Sequence, residues 1–181
     1  MKDISLVETI REAFGRVVYT HKTHEVMIDH ISTKSSWLNA VEIILIAVSA
    51  SGIATSIVVK EDWIKVLAAI FSFFSLAISL YKTNLGPEAK MLGHRIAANK
   101  LWLIREEYIN LISDFSEHRV DVDTAMKQRD SLQKKLKEIY DNSPQLSPCA
   151  YKVAQKRLKD AEDFTFSNEE LNKFLPKSLA R

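Results

Sequence analysis

The sequence predicts an all-α protein: a two-helix transmembrane hairpin set between a long amphipathic N-terminal helix and a C-terminal cytoplasmic helical domain. Three observations predict it. Two apolar runs, residues 38–59 and 63–81, follow one another with almost nothing between them. Only four glycines and four prolines interrupt the 181 residues, so helices can be long. Outside the two runs, apolar residues recur at spacings of three and four in a background of Lys, Glu, Arg and Asp, the period of amphipathic helices. These divide the chain into residues 1–36, the hairpin 37–81, and a helical domain 82–181.

Residues 3–36 read as one helix. Val7, Ile10, Phe14, Val17, His21, His24, Ile28 and Ile31 form a heptad seam, and Leu38 falls on its continuation, so the helix is expected to run straight into the first span. Gly15 is the only breaker in it, tolerated at about 1 kcal/mol. One apolar stripe must pack on something, either the later helices or a second copy.

The first span carries one formal charge, Glu42, and the second carries Lys65 near its start. At about 1.5 Å per residue, residues 38–59 make a helix roughly 33 Å long, enough for a hydrocarbon core of roughly 30 Å. Lys60, Glu61 and Asp62 alone separate the runs, so the helices must turn back on each other. The soluble alternative is a hairpin buried in a larger core, but two adjacent runs of about 20 apolar residues exceed ordinary core helices. Trp37, Trp63 and Tyr81 stand at the ends of the runs, where amphipathic rings anchor at headgroup level. Lys34, Lys82, Lys90 and Arg95 flank the inner side, against Lys60 and Lys65 at the turn. The Lys/Arg bias places both termini in the cytoplasm. The polar N-terminus does not read as a signal peptide.

Both spans carry a polar or small stripe: Glu42, Ser49, Gly52 and Ser56 on the first, and Lys65, Ala68, Ser72, Ser75 and Ser79 on the second. Lipid does not reward such stripes. Two accounts fit them: close helix packing through small and hydroxylated residues, or the lining of an oligomeric pore. Glu42 and Lys65 lie too far apart along the hairpin, roughly 22 Å, to pair. Glu42 reads either as an interfacial residue bonded to water or a cytoplasmic side chain, or as a carboxylate ring favouring cations at a pore mouth.

After a short link, residues 82–86, Pro87 opens a helix to about Arg119. Its apolar face is Met91, Ala98, Leu101, Ile104, Tyr108, Ile112 and Phe115. Asp121 and Asp123 can cap the next helix, which runs to about Asp141. Its basic face, Lys127, Arg129, Lys134, Lys135 and Lys137, reads as solvated near anionic headgroups. A helix over residues 149–162 follows a turn with Pro144 and Pro148. Residues 168–175 make a last helix with a Ser167/Glu170 capping box, and Leu171, Phe174 and Leu175 give it something to dock.

Nothing here spells out an enzyme. There is no GxxxxGK[ST], no GxGxxG and no GxSxG-like elbow, and His24–Glu25 fails as HExxH because Ile28 holds the second histidine position. His21 and His24, three apart, could share a metal with His94 or His118, but no carboxylate or cysteine set is pinned to them. No cofactor is expected. A net charge of +2 gives no support for nucleic-acid binding, and Cys149 is alone, so there is no disulfide framework.

The whole layout resembles the SLATT family, the SMODS and SLOG-associating two-transmembrane effectors of bacteria. The segments that carry the resemblance are residues 19–25 (YTHKTHE), 89–95, 147–156 and the tail 166–176 (FSNEELNKFLP). It implies an inner-membrane effector of antiphage defence. Such an effector assembles as a homo-oligomer among membrane lipids and breaches the membrane by a pore or otherwise when its system is triggered, killing or arresting the cell. It also implies a partner, either a nucleotide second messenger or a reverse-transcriptase or nucleotidyltransferase system encoded nearby. The rival expectation is a non-conducting scaffold that anchors cytoplasmic partners.

Overall fold

The computed structural model describes residues 2–59 and 61–174. Lys60 of the turn, Leu175 of the last helix and Pro176 of the tail lie outside them. Six helices follow in order: α1 (Lys2–Val58), α2 (Asp62–Leu85), α3 (Pro87–Ser116), α4 (Val122–Asp141), α5 (Pro148–Asp160) and α6 (Asn168–Phe174). There is no strand among the described residues, so the all-α class holds.

The amphipathic helix and the first span are a single helix. At about 1.5 Å per residue α1 is roughly 85 Å long. It packs against α2, α3, α4 and α5 and is the spine of the molecule. The expected link at 82–86 shrinks to one residue, because α2 stays helical through Leu85. Gly86 sits at φ 50°, ψ 53°, a left-handed position that glycine holds without penalty. Pro87 then starts α3 with its φ preset. So α2 and α3 run back along α1 from its far end towards its N-terminus, with one break.

Two regions result. In the bundle, Leu6, Ile10, Ala13 and Val17 of α1 meet Leu101, Ile104, Tyr108, Leu111 and Phe115 of α3 and Ala125, Leu132 and Ile139 of α4. A satellite core joins Val26 to Ala150 and Ala154 of α5. The seam differs from its heptad reading beyond Val17. Thr23 and Val26 are buried and Ile28 and Ile31 only half so, because α5 joins α3 against this stretch and widens the covered face.

The second region is the hairpin, and it is not a soluble core. The apolar windows of its two helices have mean hydropathies of 2.1 and 2.0, long and apolar enough to cross a membrane, yet only 6% and 11% of them is buried. Ile43, Ile44, Phe73, Phe74 and Leu76 all face outward.

The other ends fall close to expectation. α3 stops at Ser116 rather than Arg119, where His118 turns left-handed at φ 56°. The Asp121 side chain accepts from Thr124 N at 2.7 Å and caps α4. α5 begins at Pro148 behind a Ser147 cap and ends at Asp160, short of 162. The Ser167/Glu170 capping box forms in both directions. Two expectations fail. Leu171 and Phe174 stay exposed, and the chain before α6 turns Phe164 onto α1. The basic face of α4 lies along the bundle, far down α1 from Trp37. The upper end of α4 meets α1 at Thr20, through Tyr140, about 25 Å short of Trp37 along the helix. Its charges are answered locally instead, Lys135 by Glu107 at 2.8 Å, Arg129 by Asp130 at 2.7 Å and Lys137 by Asp141.

Candidate functional site

The two polar stripes of the hairpin meet each other. Ser49 Oγ donates to the Ala68 carbonyl at 2.9 Å and lies 2.5 Å from Ser72 Oγ. A Cβ added at Gly52 would stand 3.1 Å from the Ala68 Cβ, tighter than ordinary contact. Here α1 and α2 approach as closely as their backbones allow, through residues with little or no side chain, as helices in lipid do. Ser56, half-buried, donates to Ile53 O of its own helix rather than across to α2.

The polar face is wider than this contact. Glu42, Ser49, Ser72, Ser75 and Ser79 line a shallow groove of about 380 Å³ along the outside of the hairpin, walled by Ile46, Ile53 and Leu76. Ser75 is buried and Ser79 half-buried, while Ser72 is exposed. The groove runs the inner half of the hairpin and ends at Glu42.

Glu42 is not free. Lys82 Nζ donates to its Oε2 at 2.6 Å, across from α2. Sequence reading took Lys82 for a basic flank, because the link was drawn before it. Since α2 continues through Leu85, Lys82 is helical and faces α1. The ion pair cancels the charge that a cation-selecting ring at this position requires. Lys65 pairs with Asp62 at 2.9 Å at the opposite end, away from the groove. Trp37 and Trp63 are 66% and 60% exposed at opposite ends of the hairpin. Tyr81 accepts from Lys34 Nζ at 3.1 Å, level with the start of the first apolar run.

Below the hairpin the bundle holds a buried polar knot. His24 Nδ1 and His94 Nδ1 are 2.9 Å apart, so one ring donates and the other accepts. Burial, then the neighbouring His94 and His21, pushes the His24 imidazole down to about 4. Burial lowers His94 and, against the pull of Glu25, His21 as well. Both histidines of the pair are therefore neutral near pH 7. Lys22 is desolvated, but bonds to Asp163 at 2.6 Å and Glu25 at 2.9 Å outweigh that and raise it. The Phe164 ring closes this knot. It stacks on His21 at 5.4 Å, with Lys22 and Arg105 each 4.7 Å from its centroid. No group of three or more metal-ligating side chains occurs among the described residues, and His118 lies at the other end of α3. His24 pairs with His94, while His21 stacks on Phe164 and turns Nε2 to Glu25. The spacing of His21 and His24 hinted at this knot. Its closure by residues 163 and 164 had no signal in sequence.

A helical hairpin that buries its small and hydroxylated residues, exposes its large apolar ones and stands on a water-facing bundle has the build of a membrane-associated protein. The chain belongs to the SMODS and SLOG-associating 2TM effector domain family 4, which matches residues 6–170. This is the SLATT family that the sequence resembles, and membership makes the chain a membrane effector of conflict systems. No curated protein and no solved structure matches it.

Proposed function

We propose that this effector spans the bacterial inner membrane twice, with both termini in the cytoplasm. It assembles as a homo-oligomer and opens a path through the bilayer when its defence system is triggered, arresting or killing the infected cell. Its action is physical rather than catalytic. The observation that carries this is the groove of Glu42, Ser49, Ser72, Ser75 and Ser79 on the outer surface of a single hairpin. A polar groove against acyl chains leaves hydroxyls unsolvated. A second copy or water must cover it, and a ring of hairpins facing inward supplies both. Packing and lining are then two uses of one stripe: Ser49, Gly52 and Ala68 close the hairpin, and Ser72, though bonded to Ser49, and Ser79 keep a face towards the lumen. With Glu42 held by Lys82, the groove is closed by an ion pair at its inner end. The trigger acts through the bundle, delivered by a nucleotide messenger or a partner encoded nearby. It must bind the open state better than the resting one.

The test is membrane potential in a bacterial host expressing the chain with its neighbouring genes and trigger, followed by a voltage-sensitive dye. Depolarisation is expected with the wild type, reduced at least several-fold by Ser72→Trp and unchanged by Phe73→Trp one residue away. An unchanged potential in triggered cells, with the protein present in the membrane fraction, sinks the reading and favours the scaffold.

A further inference from the structure

A second recess lies where the hairpin meets the bundle. It measures about 530 Å³ and sits between α1, the end of α2, the start of α3 and the α4–α5 turn. Lys34, Ser35 and Tyr81 stand on one side and Lys90 on the other; Met27, Ile31, Leu38, Pro87 and Pro144 make apolar walls. No acidic residue lines it. Several cations of the bundle are answered by carboxylates, among them Lys22, Arg105, Arg129, Lys135 and Arg157. Lys34 meets only the Tyr81 ring and hydroxyl. Lys90 makes no side-chain bond among the described residues.

The position of the recess matters as much as its charge. Lys34 precedes the start of the first apolar stretch and Tyr81 ends the second, the level at which Trp37 is exposed. On the membrane reading proposed above, this is the headgroup layer of the inner leaflet. Two ammonium groups without a carboxylate partner at that depth, beside apolar walls that thin the competing water, suit a phosphate attached to something greasy. A soluble phosphate would meet the lysines but leave the apolar walls wet.

We propose that this recess binds one anionic phospholipid of the inner leaflet. The phosphate lies between Lys34 and Lys90, within reach of the Tyr81 and Ser35 hydroxyls, and the acyl chains rise past Leu38 along the hairpin. The recess spans the single-residue break at Gly86, so the lipid ties the hairpin to the bundle at their only hinge in α2–α3. This inference rests on membrane insertion of the hairpin.

The experiment uses the full chain purified in mild detergent, with bound lipid counted by native mass spectrometry. The probes are phosphatidylglycerol, phosphatidylcholine and soluble glycerol 3-phosphate. Wild type is expected to retain phosphatidylglycerol about tenfold better than phosphatidylcholine, with glycerol 3-phosphate unable to displace it. Lys34→Gln/Lys90→Gln should lower retention at least fivefold. Lys127→Gln/Lys134→Gln, the same charge change on remote α4, should not. Lys90→Gln alone, at an exposed residue, serves if the double variant misfolds, with a loss of at least twofold. Equal retention by the Lys34/Lys90 variants and wild type overturns the proposal. Equal loss in the α4 control reduces it to net charge and also overturns it. Displacement by glycerol 3-phosphate shows a soluble anion site, which overturns the lipid as occupant. Alkaline extraction of cell membranes separates the two readings. A chain released by alkali fails the membrane reading itself, whereas a chain that stays integral without lipid preference fails only this inference.

Discussion

The two halves of α1 are built inside out from one another. Up to about Val26 the helix buries its large apolar residues, Ile10, Val17 and Val26 among them, and turns its charges to water except Lys22, which Glu25 and Asp163 answer. Beyond Trp37 it exposes Ile43, Ile44 and Ile53 and buries Ser49 instead, with Gly52 against Ala68. The backbone is one continuous helix throughout, so the reversal comes from the solvent. Water drives large apolar surface together, at about 25 cal/mol per Å². Lipid tails reward that no more than leucine does, so close backbone approach and shared hydroxyls hold the hairpin.

Three comparisons sharpen this contrast, taken from the largest effect down. Leu101→Ala, fully buried between α1 and α3, should destabilise the bundle by about 2–5 kcal/mol. The larger truncation Phe73→Ala, 67% exposed on the hairpin, should leave the melting of detergent-purified protein unchanged. Comparable losses from both would mean that the hairpin is a water-type core.

Acid should also act on the bundle alone. His24 is lowered from 6.5 to about 4 by its burial, so between those values the unfolded chain binds the extra proton. The stabilisation is complete above about pH 6.5 and is lost as pH falls towards 4, reaching about 3 kcal/mol for this one group. Melts at pH 7.5, 5.5 and 4.5 should show the fall, and His24→Gln should flatten it. A His24→Gln protein with the full acid sensitivity would remove His24 from the account.

The smallest effects are expected in the seam. Gly52→Leu must push α2 away from Ala68 and should cost about 1–3 kcal/mol. Ser49→Ala loses only its bonds to Ala68 O and Ser72 and should cost about 0.6 kcal/mol, the usual worth of a hydrogen bond between helices in lipid. Proximity labelling between residues 52 and 68 would report the separation. If Ser49→Ala outweighs Gly52→Leu, hydroxyl bonding rather than close approach holds the hairpin.

Much of this was legible in the residues. The unbroken run of helix-compatible residues from Lys2 to Val58, the apolar windows, the Asp121 and Ser167 caps and Pro87 at a helix start are local signals, and each forms where its chemistry asks. Gly52 was readable as a small residue on a polar stripe, though not its partner. Lys82 was misplaced by only four residues of helix, yet that decided whether Glu42 is a bare carboxylate or half of an ion pair. The docking expected of Leu171 and Phe174 failed because a seven-residue helix has no reach of its own.

By itself, then, the sequence determined the helices, their order and which of them belong in lipid, because periodicity and hydropathy act along a single chain segment. Only the tertiary structure decided which polar groups answer one another: Lys82 for Glu42, His94 for His24, Phe164 over His21 and Lys22. Such pairs join residues tens of positions apart, and their geometry exists only once α2 and α3 have folded back along α1.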